Sequence, residues 1–216
     1  MTSSGDPART PSRGPAAGVL DRIARAWRGA SPAAQEELAS GAQEPRLLAY
    51  AMGGCFALWL AQTPVQVLTR LRAEAAAGVG PEDASDISML VTANLVSMLF
   101  FTPLMLYGVA AQARMVLEAI GGAGGWFATR HMIFWSLIDA APALLLGGLV
   151  SFGLDLSGVG RWSGLPLVLA NVVWLRFWAE GLAAAHGFRS GLIIFAVMAG
   201  LAAALTLAAP GVMATP

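Results

Sequence analysis

Lysine is missing altogether from the 216-residue chain, cysteine occurs once and histidine twice. The thirteen basic residues are therefore all arginine, and thirteen Asp plus Glu bring the net charge to zero. That balance removes any electrostatic case for nucleic acid or for an acidic substrate. No site chemistry demands a ban on lysine, so codon bias in a GC-rich genome accounts for it. The lone Cys55 cannot form an internal disulfide and has no CxxC partner, which leaves it a small buried hydrophobe. His131 and His186 lack ligand spacing, so no metal site is expected. Charge of either sign is scarce: 12% of residues are charged against 56% hydrophobic, and mean hydropathy is +0.64. A soluble globule needs more polar surface than that.

Five long apolar stretches fill the space left by these absences. They run over about Leu47–Leu68, Ile87–Ala111 (with helix continuing toward Ile120), His131–Phe152, Leu165–Ala185 and Gly191–Pro210. Each is close to the roughly 20 residues that an α-helix needs to cross a hydrocarbon core of about 30 Å. Backbone groups in lipid must be satisfied internally, so the stretches are expected to be helices. Pro64, Pro103 and Pro142 are expected to kink the first three, while Pro166 suits a first turn. Asp86 and Ser88 offer capping groups before the second. The fourth is the least comfortable because it holds Arg176 and Glu180, and a four-span arrangement with that segment interfacial is the competing topology.

The expected fold is thus an all-α polytopic membrane bundle of five transmembrane helices with a short N-terminal amphipathic interfacial helix. Residues 1–18, rich in Pro, Gly and Ser with no apolar core, read as a disordered tail rather than a signal peptide. Residues 19–46 read as a cytoplasmic amphipathic region, 47–210 as the five-helix domain and 211–216 as a short tail. Within 19–28, Val19, Leu20, Ile23, Ala24 and Trp27 share one helical face and Asp21, Arg22, Arg25 and Arg28 the other. This is the pattern of a helix lying in the bilayer interface, with a short helix that packs on the cytoplasmic ends of the bundle as the alternative. Ser31 before Pro32 is expected to cap the short helix that follows. Arginine is concentrated in the N-terminal region and the loops near 112–130 and 186–190. A cytoplasmic N-terminus and an outer C-terminus follow from that bias.

Arg176 and Glu180 are four residues apart and share one face of the fourth stretch, as a paired charge in lipid must. They read first as an interhelical staple and second as a substrate or proton pathway, with Asp139 as either their protonatable partner or a buried neutral acid near Pro142. Asn94, Gln112 and Gln62 are expected to hydrogen-bond across helices, and small-residue pairs such as Gly147/Ser151, Gly181/Ala185 and Ala196/Gly200 permit close approach. Trp126 and Trp162 fall where an interfacial aromatic belt would. The glycine-rich stretch 121–131 lacks the lysine and hydroxyl of a phosphate loop and reads as a compact cytoplasmic turn anchored by Trp126 and Arg130. No nucleophile elbow, zinc helix or Ser/His arrangement is present, so no catalytic residue and no cofactor is assigned.

Three segments, "YAMGGCFALWLAQTP" (50–64), "FFTPLMLYGVAAQARMV" (100–116) and "GGAGGWFATRHMIFWSLIDAAPALLLGGLV" (121–150), resemble the bacterial branch of the Yip domain family. The residues carrying the resemblance are Phe101, Pro103, Tyr107, Gly121, Gly122, Gly124, Gly125, Arg130, Phe134, Trp135 and Pro142. Such a resemblance implies a five-helix bundle with a cytoplasmic N-terminal region. Eukaryotic relatives bind prenylated small GTPases in vesicle transport, a role that does not transfer to bacteria. The expectation is therefore a non-enzymatic protein of the bacterial inner membrane with a scaffolding, assembly or membrane-organising role. Its partners are the lipid bilayer and either another membrane protein or a second copy of itself, and not nucleic acid. A small transporter or transporter subunit using Arg176, Glu180 and Asp139 is the alternative.

Overall fold

The computed structural model describes residues 18–79, 86–159 and 162–208, with side chains described to residue 200. The expectations for residues 1–17 and for the chain end beyond Ala208 lie outside the described residues. Every regular element among the described residues is helical: α1 (Val19–Arg28), α2 (Ala30–Ala39), α3 (Glu44–Ala76), α4 (Ile87–Val96), a π turn (Ser97–Phe101), α5 (Thr102–Ala119), α6 (Trp126–Leu156), α7 (Leu165–His186) and α8 (Leu192–Ala208). Three helices are long and apolar enough to cross a membrane: Ile87–Ala119, Trp126–Leu156 and Leu165–His186. The chain is in this sense a membrane protein.

Helix α6 is the hub, because its small residues let neighbouring backbones come close. A Cβ on Gly148 would strike the main chain of Ala61 in α3, and one on Gly147 would strike Ala170 and the Pro166 carbonyl in α7. Gly54 of α3 and Gly181 of α7 in turn make room for side chains of α6, those of Leu137 and Met132. Ser151 accepts the Leu167 N–H at 3.1 Å, so the Gly147/Ser151 pair does form a seam. Gly200, by contrast, faces open space, and the expected seam along α8 is not made by that residue. At the far end Arg72 bonds both the carboxylate and the carbonyl of Asp155, fastening α3 to α6.

The prolines act differently from one another. Pro64 and Pro142 sit inside continuous helices. Pro103 follows the π turn, where the Thr102 N–H reaches back five residues to the Ser97 carbonyl. A widened turn of this kind relieves the collision between a proline ring and the carbonyl four residues earlier. Asp86 caps α4 through the Ser88 and Met89 N–H groups, as its position in the sequence predicts. Ser31 does not cap α2. Gly29 occupies the N-cap position in extended conformation, and Ser31 lies inside the first turn.

Helices α1 and α2 form a hairpin on the side of the bundle. The face of α1 that turns inward is not its apolar one: Ala26 and the Arg22 side chain are the covered groups, at 2% and 18% exposure, whereas Leu20 is 80% exposed. Ile23 is half-buried, and Trp27 is half-exposed with its ring edge on Phe177 of α7 at 5.5 Å.

Candidate functional site: a buried carboxylate under the N-terminal hairpin

One carboxylate gathers donors from three other helices. Glu37 of α2 is 5% exposed. Its Oε2 accepts from Arg22 Nη1 of α1 at 2.9 Å, and its Oε1 accepts from Tyr50 OH of α3 at 3.2 Å and from His131 Nε2 of α6 at 3.1 Å. Arg46 Nη1, at the start of α3, approaches Oε1 at 3.4 Å. Burial alone would raise the Glu37 pKa. The hydrogen bond from His131 and the charges of Arg22, His131 and Arg46 outweigh it and hold the carboxyl below its ordinary range. A carboxylate with this many charge-assisted bonds is a strong positional lock.

His131 is fully buried, stacked on Phe127 at 5.6 Å and tilted against Tyr50 at 5.7 Å. It lies more than a turn inside α6, not at a helix end as its place beside the glycine-rich turn predicts. Because Nε2 faces a carboxylate, it carries the proton, and the buried Nδ1 has no partner. Asp139, two turns further along α6, is 1% exposed and its Oδ2 is likewise unpartnered. Trp27 donates its indole N–H to the Asp139 main-chain carbonyl at 2.9 Å.

Arg176 bonds Glu180 on the same face of α7, as their spacing predicts. The Arg176 side chain is half-exposed and lines a cleft of about 360 Å³ with Trp27, Ala30, Val173 and Phe195. Asp139 is absent from that cleft. Trp27 touches both sets, through its indole N–H on one side and its ring on the other, so the three ionisable residues do not form one cluster. Asn94 reaches across from α4 to Gln66 of α3, an interhelical bond of the expected type with a partner the sequence did not single out.

The glycine-rich turn is fitted to His186. Cβ atoms on Gly122 or Gly124 would collide with the imidazole, and Gly121 adopts φ +97°. His186 Nδ1 accepts the Gly124 N–H at 3.3 Å, which places its proton on Nε2, 2.9 Å from Thr129 Oγ1. The Thr129 hydroxyl then donates to the Gly125 carbonyl at 3.1 Å. Around this turn Arg114 lies over the Trp126 ring at 4.2 Å. Arg130 pairs with Glu44 at 3.0 Å and covers Tyr107 at 5.4 Å. Tyr107 packs on Phe134 at 5.2 Å, and Trp135 meets Phe177 edge-on at 6.4 Å. Phe101 stands apart from these, 62% exposed on the outer face of the π turn.

Sequence reading missed Glu37, Tyr50, Arg46 and both histidines as partners. The available signal was the three-residue spacing of Ala34 and Glu37, which puts both on the inward face of α2. Comparison with known proteins gives no match: no family model fits the chain, and no curated protein or solved structure is significantly similar to it.

Proposed function

We propose that the chain is a five-span protein of the bacterial inner membrane, related to Yip-domain proteins. In this reading it is non-enzymatic and assembles or organises membrane components through lateral contacts with another membrane protein or with itself. The observation that carries this reading is the helix Ile87–Ala119. Over 33 residues its buried side chains are Leu106, Ala110 and Leu117. Phe100, Leu104, Met105 and Met115 are all about two-thirds exposed or more, so one spanning helix offers a broad apolar face to lipid or to a neighbour.

In this reading α3 and α8 are the two further spans. Gly191 stands against the Ala179 carbonyl and the Glu180 N–H with no room for a Cβ, and Phe195 lies beside Val172 and Val173. Helix α8 therefore runs antiparallel to α7 from Glu180 toward Leu165. It carries no charge, so its start marks the cytoplasmic edge of the hydrocarbon. Glu180 then sits at that edge, with Arg176 one turn deeper and bonded up toward it. Glu37, His131 and His186 fall on the cytoplasmic side. The cost of charge within lipid is correspondingly small.

Photo-crosslinkers at Leu104 and Met105, with buried Leu106 as control, test the interaction reading in native membranes. A discrete protein adduct from the two exposed positions is expected. Adducts to lipid alone overturn it. The unpartnered Asp139 Oδ2 and His131 Nδ1 favour the transport reading in that event. Proton-coupled flux in proteoliposomes, lost in Glu180→Gln or Asp139→Asn protein that still folds, would establish it.

A further inference from the structure

Helix α7 carries an ion pair that is covered at one end and open at the other. Glu180 keeps 8% of its side chain exposed, whereas Arg176 keeps 49%. Arg176 reaches Glu180 through Nη1, and among the described residues its guanidinium has no other hydrogen-bond partner. The rest of that planar fork, which carries five N–H donors in all, is left for a group outside the chain. The open end forms part of the cleft of about 360 Å³ between the N-terminal hairpin and helices α7 and α8. Trp27, Val172, Val173, Phe177 and Phe195 give the cleft apolar walls, and no carboxylate among the described residues lines it. The cleft is positive at one point and apolar elsewhere, so it is complementary to an anion that carries a hydrocarbon chain.

Resting on the five-span reading above, we propose that the cleft holds one anionic phospholipid of the cytoplasmic leaflet, with its phosphate on Arg176. In that reading Arg176 lies one turn below the hydrocarbon edge and its side chain extends up toward Glu180. The guanidinium therefore stands at the level where lipid phosphates begin. A guanidinium fork meets two phosphate oxygens at once, and Val172 and Phe195 offer a wall to the first carbons of an acyl chain. Net charge is selected as well. A zwitterionic lipid brings an ammonium that finds no open carboxylate here, because Glu180 is covered. Arg28, exposed and adjacent to Trp27 in the chain, adds a second positive charge beside the cleft. A carboxylate on a second copy of the chain would meet the same guanidinium, and the test below separates the two.

The purified chain in detergent is titrated with dioctanoyl phosphatidylglycerol or dioctanoyl phosphatidylcholine, and native mass spectrometry counts what stays bound. One phosphatidylglycerol is expected to be retained saturably, about 10-fold tighter than phosphatidylcholine. Arg176→Gln combined with Glu180→Gln, which leaves no charge unpaired, should bring the two lipids level, whereas Arg176→Lys should keep part of the preference. Val172→Trp fills the cleft with both charges in place, and should remove the retained lipid even if the double variant folds poorly. Equal retention of the two lipids in the parent chain, or phosphatidylglycerol held undiminished by Val172→Trp, overturns the site. Competition by inorganic phosphate as strong as by the lipid overturns it in favour of a free anion. A dimer that Val172→Trp abolishes and phosphatidylglycerol does not dissociate overturns it in favour of a second copy. Loss of selectivity in a chain that still floats with vesicles in alkaline carbonate sinks the site alone, while release into carbonate sinks the spanning reading and the site with it.

Discussion

His131 meets the carboxylate of Glu37 at 3.1 Å across a separation of 94 residues. Through that contact the N-terminal hairpin is tied to the most buried helix of the bundle. Arg22, Tyr50 and Arg46 complete the knot, so one side chain fixes the positions of α1, α2, α3 and α6 together.

Glu37→Ala leaves two arginines, a tyrosine and a histidine facing a void, and is expected to cost about 3–5 kcal/mol. Glu37→Gln keeps the volume and part of the bonding and should cost less. Thermal unfolding in detergent measures the first. Limited proteolysis between α1 and α3 reports whether the hairpin has come away before the bundle melts.

Acid should release the hairpin. The folded pKa of Glu37 lies below the ordinary glutamate value of 4.5. Its contribution to stability is therefore complete above that value and is lost as pH falls through the lower folded one. Protease sensitivity of the hairpin is expected to stay flat from pH 8 to about pH 5 and to rise only in stronger acid. A rise centred near neutrality would assign the lock to histidine instead.

Trp27→Phe keeps the ring edge on Phe177 but removes the donor to the Asp139 carbonyl, an expected loss of about 0.5–1.5 kcal/mol. Trp27→Ala should cost more, because the cleft beside Arg176 would open. Unfolding midpoints of the two variants against the parent resolve the hydrogen bond from the packing.

Gly148→Ala drives a methyl into the Ala61 backbone and should destabilise by about 1–3 kcal/mol or more. Gly153→Ala, in the same helix with open space around it, is the control and should be neutral or stabilising by up to about 1 kcal/mol. If both behave alike, the α3–α6 seam is not held by close backbone contact.

Nitrogen NMR of labelled histidine should find His186 as the Nε2–H tautomer, since Nδ1 receives the Gly124 N–H. Gly124→Ala should abolish that signature by displacing the ring. An Nδ1–H tautomer in the parent protein would contradict the geometry of the turn.

Helix positions were legible in the sequence because hydropathy and length are local properties. Leu165 and Pro166 open α7 as expected, Asp86 caps α4, and the stretch starting at Ile87 runs on to Ala119. Helices α3 and α6 overshoot their expected spans at both ends, since polar residues such as Arg46, Arg72 and Asp155 find partners on neighbouring helices instead of ending the helix. The Arg176–Glu180 pair was legible for a similar reason: four-residue spacing on a helix is a local fact.

The partners of Glu37 were not legible, because a short polar helix carries no signal of what it will be pressed against. Nor did the amphipathic pattern of residues 19–28 reveal which face turns inward. Burying Arg22 against Glu37 satisfies two charges at once, and it leaves the apolar face of α1, with Leu20 80% exposed, on the outside. The sequence by itself determined that this chain is helical and suited to a membrane, since apolar run length and backbone hydrogen bonding leave no other regular structure in lipid. Only the tertiary structure decided which charges are neutralised and which glycines must stay glycine, because each depends on what arrives from a distant part of the chain.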